Sequence, residues 1–562
     1  MTLRALLTLL STALPLAYAP FAVAQGDTVS APAPSAAPDA ASEIRVEPLR
    51  TPLDGDFVFA WLVGELALRN GQWGQALEAY ERAAEAQPIP AVLDRWAQTA
   101  LLAGDAVQFE RILTLWQWLA PDDARLQQLA AHRERLNARF EAQISERIAE
   151  ILKKDPEQRE RNLLGLPAAL AELGNPTQIL RLIEKAVAPY RDEPAAHLIV
   201  SEAARQAGDL DRAWAAAQAA VALRPDWPPA LAQLAQVALD RFAPELAIPI
   251  LAPAQERQPE ALTVTLALAA LLAETDHPER AVALLAPWVE RGVTDPRLID
   301  ALATFGAQGI EPEQCARWLL RLAKERPEAR LKAAQLWLAR EQPRRALRLL
   351  DPRALPDELA ESAAALTAQA LARLGRVDEA LSRLEAHAPL SGVDAALREA
   401  RLWQEAKQWE ASRAVLIDAL ATFGDVPQLL YDYAILLERM GARDSAEGYL
   451  RKLLAMRPFD VHAINALGYL LADANRSLDE AERLLRMARA LKPNDGFIMD
   501  SEGWLRFRQG DYSSARRLIE AAWRRAPDPE IGDHLVAVYQ ALGDEARAAA
   551  WRKRLARQFP GR

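Results

Sequence analysis

One cysteine, Cys315, stands in 562 residues, so no internal disulfide can form. Its setting, Glu313-Gln314-Cys315-Ala316, falls where a helical repeat wants a small buried side chain. A structural thiol is therefore expected, not a nucleophile. Histidine is scarce as well. His132, His197, His277, His387, His462 and His534 never pair at metal-ligand spacing, and no His-Glu-x-x-His run occurs. The Gly-x-Ser-x-Gly elbow and the Gly-x-x-x-x-Gly-Lys-Ser/Thr phosphate loop are missing too. Acidic pairs are common, but on helices they read as solvated faces. No catalytic residue, metal or cofactor is expected from such a chain, and it is not expected to be an enzyme. A formal net charge of −10 argues against a general nucleic-acid binder.

Glycine is sparse and strand-length β-branched runs do not recur, whereas Ala, Leu, Arg and Glu dominate; the composition favours helix. Charge is uneven. Residues 438–562 hold 22 basic and 18 acidic side chains, against 45 and 59 in the rest. Such a drift fits either two contact surfaces or ordinary solvated helix faces.

The longest apolar run lies at the N-terminus. Arg4 precedes an apolar stretch from Ala5 to Ala19, broken by Pro15, and Ala22-Val23-Ala24 offers a small-x-small cleavage site before Gln25. This is the layout of a secretory signal peptide over residues 1–24. The run is short and broken for a membrane span, and an uncleaved anchor is the alternative. No cysteine follows the cleavage site, so no lipid anchor is expected. Export with so little cysteine fits a bacterial periplasm, with peripheral association to the envelope left open. Residues 25–56, with Ala31-Pro32-Ala33-Pro34-Ser35 at their clearest, are Ala/Pro/Ser-rich and too poor in large apolar side chains to pack; a flexible tether is expected. Folded structure is expected from Phe57, and no other stretch reaches membrane-spanning length without charges.

From Phe57 onward the sequence repeats with a period of about 34 residues. Gly64, Gly71, Ala76, Tyr80, Ala83 and Pro88 set the pattern. Gly208, Ala213, Ala220 and Pro225 repeat it, as do Gly441, Ala446 and Pro458, then Gly510, Ala515, Ala522 and Pro527. Packing explains the choice of residues. Gly64, Gly468 and Gly503 let a second helix come close to a first, and Ala76, Ala380 and Ala515 do the same from the other side. Tyr80, Leu384 and Ile519 fill the gap between one pair and the next. A left-handed glycine ends the first helix, a following Asp caps the second, and proline stops it. No pair hides its apolar face alone, so neighbours must stack. The pattern fades over about 122–194, where His132-Arg133-Glu134-Arg135 and the Asp155-Pro156 and Leu166-Pro167 breaks intervene, and again over about 296–360. Both stretches are still expected to be helical pairs, marking a division into N-terminal and C-terminal arms.

This pattern resembles the tetratricopeptide repeat (TPR) family, best in Ala466-Leu467-Gly468-Tyr469 with Ala481 and Pro493, and in Gly503-Trp504 with Gly510, Ala515 and Pro527. The resemblance implies an all-α, TPR-type helical-hairpin solenoid, a superhelix of roughly 13 to 15 pairs over residues 57–562. It also implies that first-helix residues line a concave groove that binds other proteins. On the best-patterned repeats, 425–562, that face would carry Asn465, Tyr469, Asp473, Asp500, Trp504 and Arg508. These are either groove anchors or, for Tyr469 and Trp504, partly packed side chains. The paired lysines and asparagines with which some TPR domains grip a carboxyl terminus are not found. Of the 15 tryptophans, Trp61, Trp96, Trp214 and Trp403 are expected in the core, with Trp73 and Trp409 beside turns.

Asn465 to Tyr469, Leu491 to Asp495 and Asp500 to Trp504 are also similar to large envelope TPR proteins of Gram-negative bacteria. Some of these bind a periplasmic carboxyl-terminal processing protease as adaptors and bring it to substrates that include peptidoglycan hydrolases. The resemblance implies such an adaptor role here, without the lipid anchor. The alternative it leaves is a scaffold within an envelope machine that exports polysaccharide or assembles outer-membrane components.

Overall fold

The computed structural model describes residues 55–561, apart from 87–88, 104, 121, 172–175, 276 and 352–354. The expected signal peptide, and the expected tether up to residue 54, lie outside the described residues. Fourteen antiparallel helical pairs and one unpaired helix make up the described chain, which has no strand. The architecture is the all-α, TPR-type solenoid expected. It divides into two compact units, residues 1–143 and 144–562.

In the first unit, Gly55–Arg69 pairs with Trp73–Ala86, and Pro90–Ala103 with Ala106–Leu119. A methyl group on Gly64 would stand 2.8 Å from the Tyr80 ring, so the two helices meet only because residue 64 lacks one. Tyr80 and Trp96 are fully buried, and the Tyr80 hydroxyl donates to Glu65, which also takes two hydrogen bonds from Arg95. Trp61 is half-buried, edge-on to Tyr80, and Trp73 beside the turn is 39% exposed.

The first degenerate stretch opens on a single helix rather than a hairpin, and only its second part, Arg159–Leu170 with Pro176–Val187, forms the expected pair. Ala124–Lys154 is one helix of 31 residues, because no glycine or proline interrupts it before Asp155-Pro156. The second degenerate stretch does form pairs, Pro296–Ala307 with Pro312–Leu322 and Glu328–Ala339 with Pro343–Leu349. Gly306 performs the close-approach role there, since a methyl on it would lie 2.2 Å from Leu336. Cys315 packs against the same glycine, fully buried, and burial pushes its thiol up to about 12. It is therefore a protonated core side chain at neutral pH.

Within residues 144–562 the twelve pairs are built by one local logic. Proline occupies the first turn of front helices at Pro194, Pro228, Pro296, Pro427 and Pro529, where its missing N–H leaves no bond unmade. Three back helices start on aspartate: Asp209, Asp511 and Asp544 accept from the backbone N–H three residues on. Ala446, Ala481, Ala515 and Ala548, all fully buried, recur once per pair along the back helices. Leu450, Leu485 and Ile519, four residues after the first three, fill the space these alanines leave. Arginine to carboxylate pairs stitch one pair to the next at a separation near one repeat, as in Arg257–Asp226, Arg345–Glu313, Arg401–Asp432 and Arg451–Glu480. With at least the arginine of each pair open to solvent, each contributes about 0–1 kcal/mol, so apolar stacking carries the fold.

Between paired helices the chain passes through a left-handed residue. Gly375, Gly441 and Gly510 serve at φ 78°, 81° and 82°, whereas the corresponding turn of the pair 392–423 uses Lys407 at φ 56°. A side chain in this region is disfavoured by roughly 1–2 kcal/mol, and glycine loses part of that advantage through its freer unfolded chain. Lys407 is exposed, so nothing else depends on it. Lys407→Gly is expected to stabilise its pair by about 1 kcal/mol, read as slower amide exchange over 392–423.

Candidate functional site

The front helices Val461–Asp473, Gly496–Arg508 and Pro529–Ala541 follow one another at a spacing of 33 to 35 residues, so equivalent positions fall in register. Tyr431, Asn465, Asp500 and His534 make one such row across four successive front helices. The structure brings most of the sequence-derived candidates into one cluster. Asp473 accepts from Trp504 Nε1 at 3.1 Å and from Arg508 at 2.9 Å, and Arg443 pairs with its other oxygen at 2.6 Å. Burial works against its negative charge, but the bonds from Arg508 and Trp504 prevail and hold the carboxyl below the usual range.

Asp500 is 5% exposed and meets His534 Nδ1 at 3.0 Å; burial raises its carboxyl above the ordinary range, opposed by that histidine. The His534 ring stacks on Trp504 with centroids 4.0 Å apart, and Arg508 lies over the other ring system at 4.9 Å. Trp504, at 9% exposure, is thus packed rather than open, and Asp500 is an internal link between two front helices. Tyr469 is half-buried and its hydroxyl bonds to Glu530; burial and that carboxylate raise its ionisation strongly. Asn465 stands apart from these bonds: its Oδ1 is shielded from solvent with no hydrogen-bond partner. Four participants, His534, Glu530, Glu438 and Arg443, were not among the sequence candidates. The 34-residue register from Tyr431 through Asn465 and Asp500 is the signal that points to His534.

Glu438, half-buried, feels burial first and then the charges of Glu530 and Asp473, which together raise its carboxyl. A folded-state value above the unfolded one leaves stability intact below the unfolded range and removes it as pH rises through the folded value. Glu438→Gln, always neutral, is therefore expected to raise the melting temperature at pH 7 and leave it unchanged near pH 3. Thermal unfolding at the two pH values checks this.

A groove of about 860 Å³ opens on the neighbouring front helices Ala360–Arg373, Gly392–Glu405, Pro427–Arg439 and Val461–Asp473. Its floor is apolar, with Leu366, Leu390 and Leu397, and its rim is mixed, with Arg401, Asp432 and His462. Leu390 is 43% exposed and Leu366 half-buried. Rim charges are held in place: Arg401 pairs with Asp432 at 3.1 Å, Arg373 with Glu405 at 2.9 Å, and Lys492 Nζ lies 3.1 Å from His462 Nε2. An apolar floor inside a polar rim suits an extended polypeptide with apolar side chains. Among the described residues no group of histidine, cysteine and carboxylate side chains could hold a metal ion, and no helix is long and apolar enough to cross a membrane.

Comparison with known proteins agrees with this architecture. Residues 431–496 match the family model described as Tetratricopeptide repeat. The chain is similar to the TPR repeat-containing protein PA4667 of Pseudomonas aeruginosa, 35% identical over 168 residues, which are 29% of this chain and 28% of that protein. The match thus spans little more than a quarter of the relative's length. Among solved structures, yeast Tom70 is similar at 14% identity, covering 71% of this chain and 97% of its own, with a TM-score of 0.33. The hetero-tetramer Cut9-Hcn1 of the APC/C is similar at 12% identity, with 90% and 95% coverage and a TM-score of 0.31. At these scores neither structure bears on function.

Proposed function

We propose that this chain is a non-catalytic periplasmic scaffold that binds other proteins on the front-helix face of residues 144–562. Its role is that of an adaptor, bringing a carboxyl-terminal processing protease together with substrates such as peptidoglycan hydrolases. The observation that carries the binding role is the amphipathic groove of about 860 Å³ over four successive front helices. It continues in chain order into the row of Asn465, Tyr469 and Asp473, where Asn465 keeps an unused acceptor. The periplasmic assignment is supported by the Arg4 to Ala24 layout. The adaptor role is supported by the resemblance of residues 465–504 to envelope adaptors of this kind.

The test is capture of partners from envelope extract with the chain from Gln25 to Arg562, read by mass spectrometry. Co-capture of a processing protease and a peptidoglycan hydrolase is the expected result. Capture of polysaccharide-export or outer-membrane assembly components instead would replace the adaptor role by the second kind of scaffold. A catch no richer than that of an unrelated exported protein would remove both.

A further inference from the structure

Within residues 144–562 the end of the chain returns to helical pairs more than 200 residues earlier. The contacts fall on the carboxyl ends of four successive front helices. Arg524 donates to the carbonyl of Asp240 at 2.6 Å, and Arg557 to the carbonyl of Ala273 at 3.4 Å. Arg554 grips Glu274 with two bonds, at 2.6 and 2.9 Å. Arg340 donates to the carbonyl of Arg557 at 2.5 Å, and a methyl on Gly309 would stand 2.6 Å from that same oxygen. The logic is that of helix capping. The last carbonyls of a helix lack partners and carry partial negative charge, and guanidinium groups from elsewhere satisfy them.

Two details mark this seam as built. Phe242 holds φ 54° at a turn where glycine would be cheaper, yet its ring lies edge-on to Trp551 at 5.7 Å, with Arg524 above it at 5.3 Å. Glu341, also left-handed at φ 54°, would meet a methyl on Gly561 with its Cγ at 2.6 Å. At both positions the left-handed residue supplies a side chain to the seam. Arg554 lies over both Trp523 and Trp551, 5.1 and 4.9 Å from their ring centroids, and the two rings themselves meet edge to face. The Arg554–Glu274 pair is half-buried, with side chains 20% and 19% exposed, and an ion pair so placed adds little net stability, yet loss of one partner leaves the other partly desolvated and unpaired. Such a contact behaves as a catch more than as glue.

We propose that the last two back helices, Tyr512–Arg525 and Glu545–Gln558, form a latch that holds one turn of the coil closed, and that its release opens the front-helix face. Closure of this kind sets the pitch of the solenoid.

Paired cysteines test it on the full chain. Glu341→Cys with Gly561→Cys places two β-carbons at disulfide distance, and buried Cys315 does not compete. Mild oxidation is expected to join them within one monomer about tenfold faster than a control pair, Lys407→Cys with Gly561→Cys. Equal rates would overturn the closed coil. The double variant Phe242→Asp, Glu274→Arg is then expected to enlarge the radius of gyration in small-angle scattering, and adding the 341–561 disulfide should restore it. An unchanged radius in a variant that keeps its helical circular dichroism would overturn the latch. Should that variant lose its helicity, the exchange of amide hydrogens over 545–558 in Glu274→Gln decides instead: faster there than over 427–491 supports the latch, and no change refutes it.

Discussion

Gly503→Val is expected to destabilise the C-terminal repeats by about 2 kcal/mol. A Cβ at this position would stand 2.5 Å from Ile519 and 3.2 Å from Leu518, inside contact distance on the floor of a helix crossing. Ile519 is fully buried, so it cannot swing away into solvent. Overpacking of this sort costs about 1–3 kcal/mol, and the better helix propensity of valine over glycine returns less than about 1 kcal/mol. The first effect wins. Gly448 supplies the opposite sign. It lies on the exposed side of Arg443–Met456, and a Cβ there would meet nothing within 4 Å. Gly448→Ala is expected to stabilise by about 1 kcal/mol. Because long repeat arrays do not unfold as one unit, amide exchange over 496–525 is the better measurement for the first variant. Equal protection in Gly503→Val and the parent would show that the helices part more easily than the packing implies.

The second large effect concerns binding. Leu366→Glu with Leu390→Glu is expected to weaken the captured partner by about two orders of magnitude. Each leucine removed from a bound apolar segment forfeits roughly 1.5 kcal/mol, and about 3 kcal/mol corresponds to a factor above one hundred. Both side chains line the groove, and Leu390 is exposed enough that its loss barely touches the fold. Leu223→Glu is the control. Leu223 is 46% exposed at the end of a back helix and does not line the groove, so affinity should not change. Titration calorimetry with the captured protein reads all three. Unchanged affinity in the groove variant would move the binding face elsewhere.

Much of this was legible in the residues themselves. The 34-residue period, the Gly-Asp turns at 208–209, 510–511 and 543–544, and the alanines of the back helices are local signals, each acting over one or two turns of helix. They specify pairs and their stacking because every pair is built alike. Cys315 was legible as a core residue for the same reason. Where the local signals failed, so did the reading. Between 124 and 154 the repeat spacing implied a hairpin, but without glycine or proline the helix ran on.

The candidate site was half visible. Asp473, Trp504 and Arg508 do meet, yet Trp504 and Asp500 turn inward, because His534, 30 and 34 residues further on, stacks on one and bonds the other. Exposure of a front-helix residue depends on the next pair, which its own segment does not describe.

The sequence by itself thus determined the repeat, the handedness of its turns and the apolar stripe that makes neighbours stack. Those follow from backbone sterics and from periodicity over distances of about 34 residues. Only the tertiary structure decided which front-helix residues remain open, where the groove deepens, and that Arg524 and Arg554 reach Asp240 and Glu274. Small rotations from pair to pair accumulate over eight or nine pairs before those residues come into contact. No local pattern records a sum of that kind.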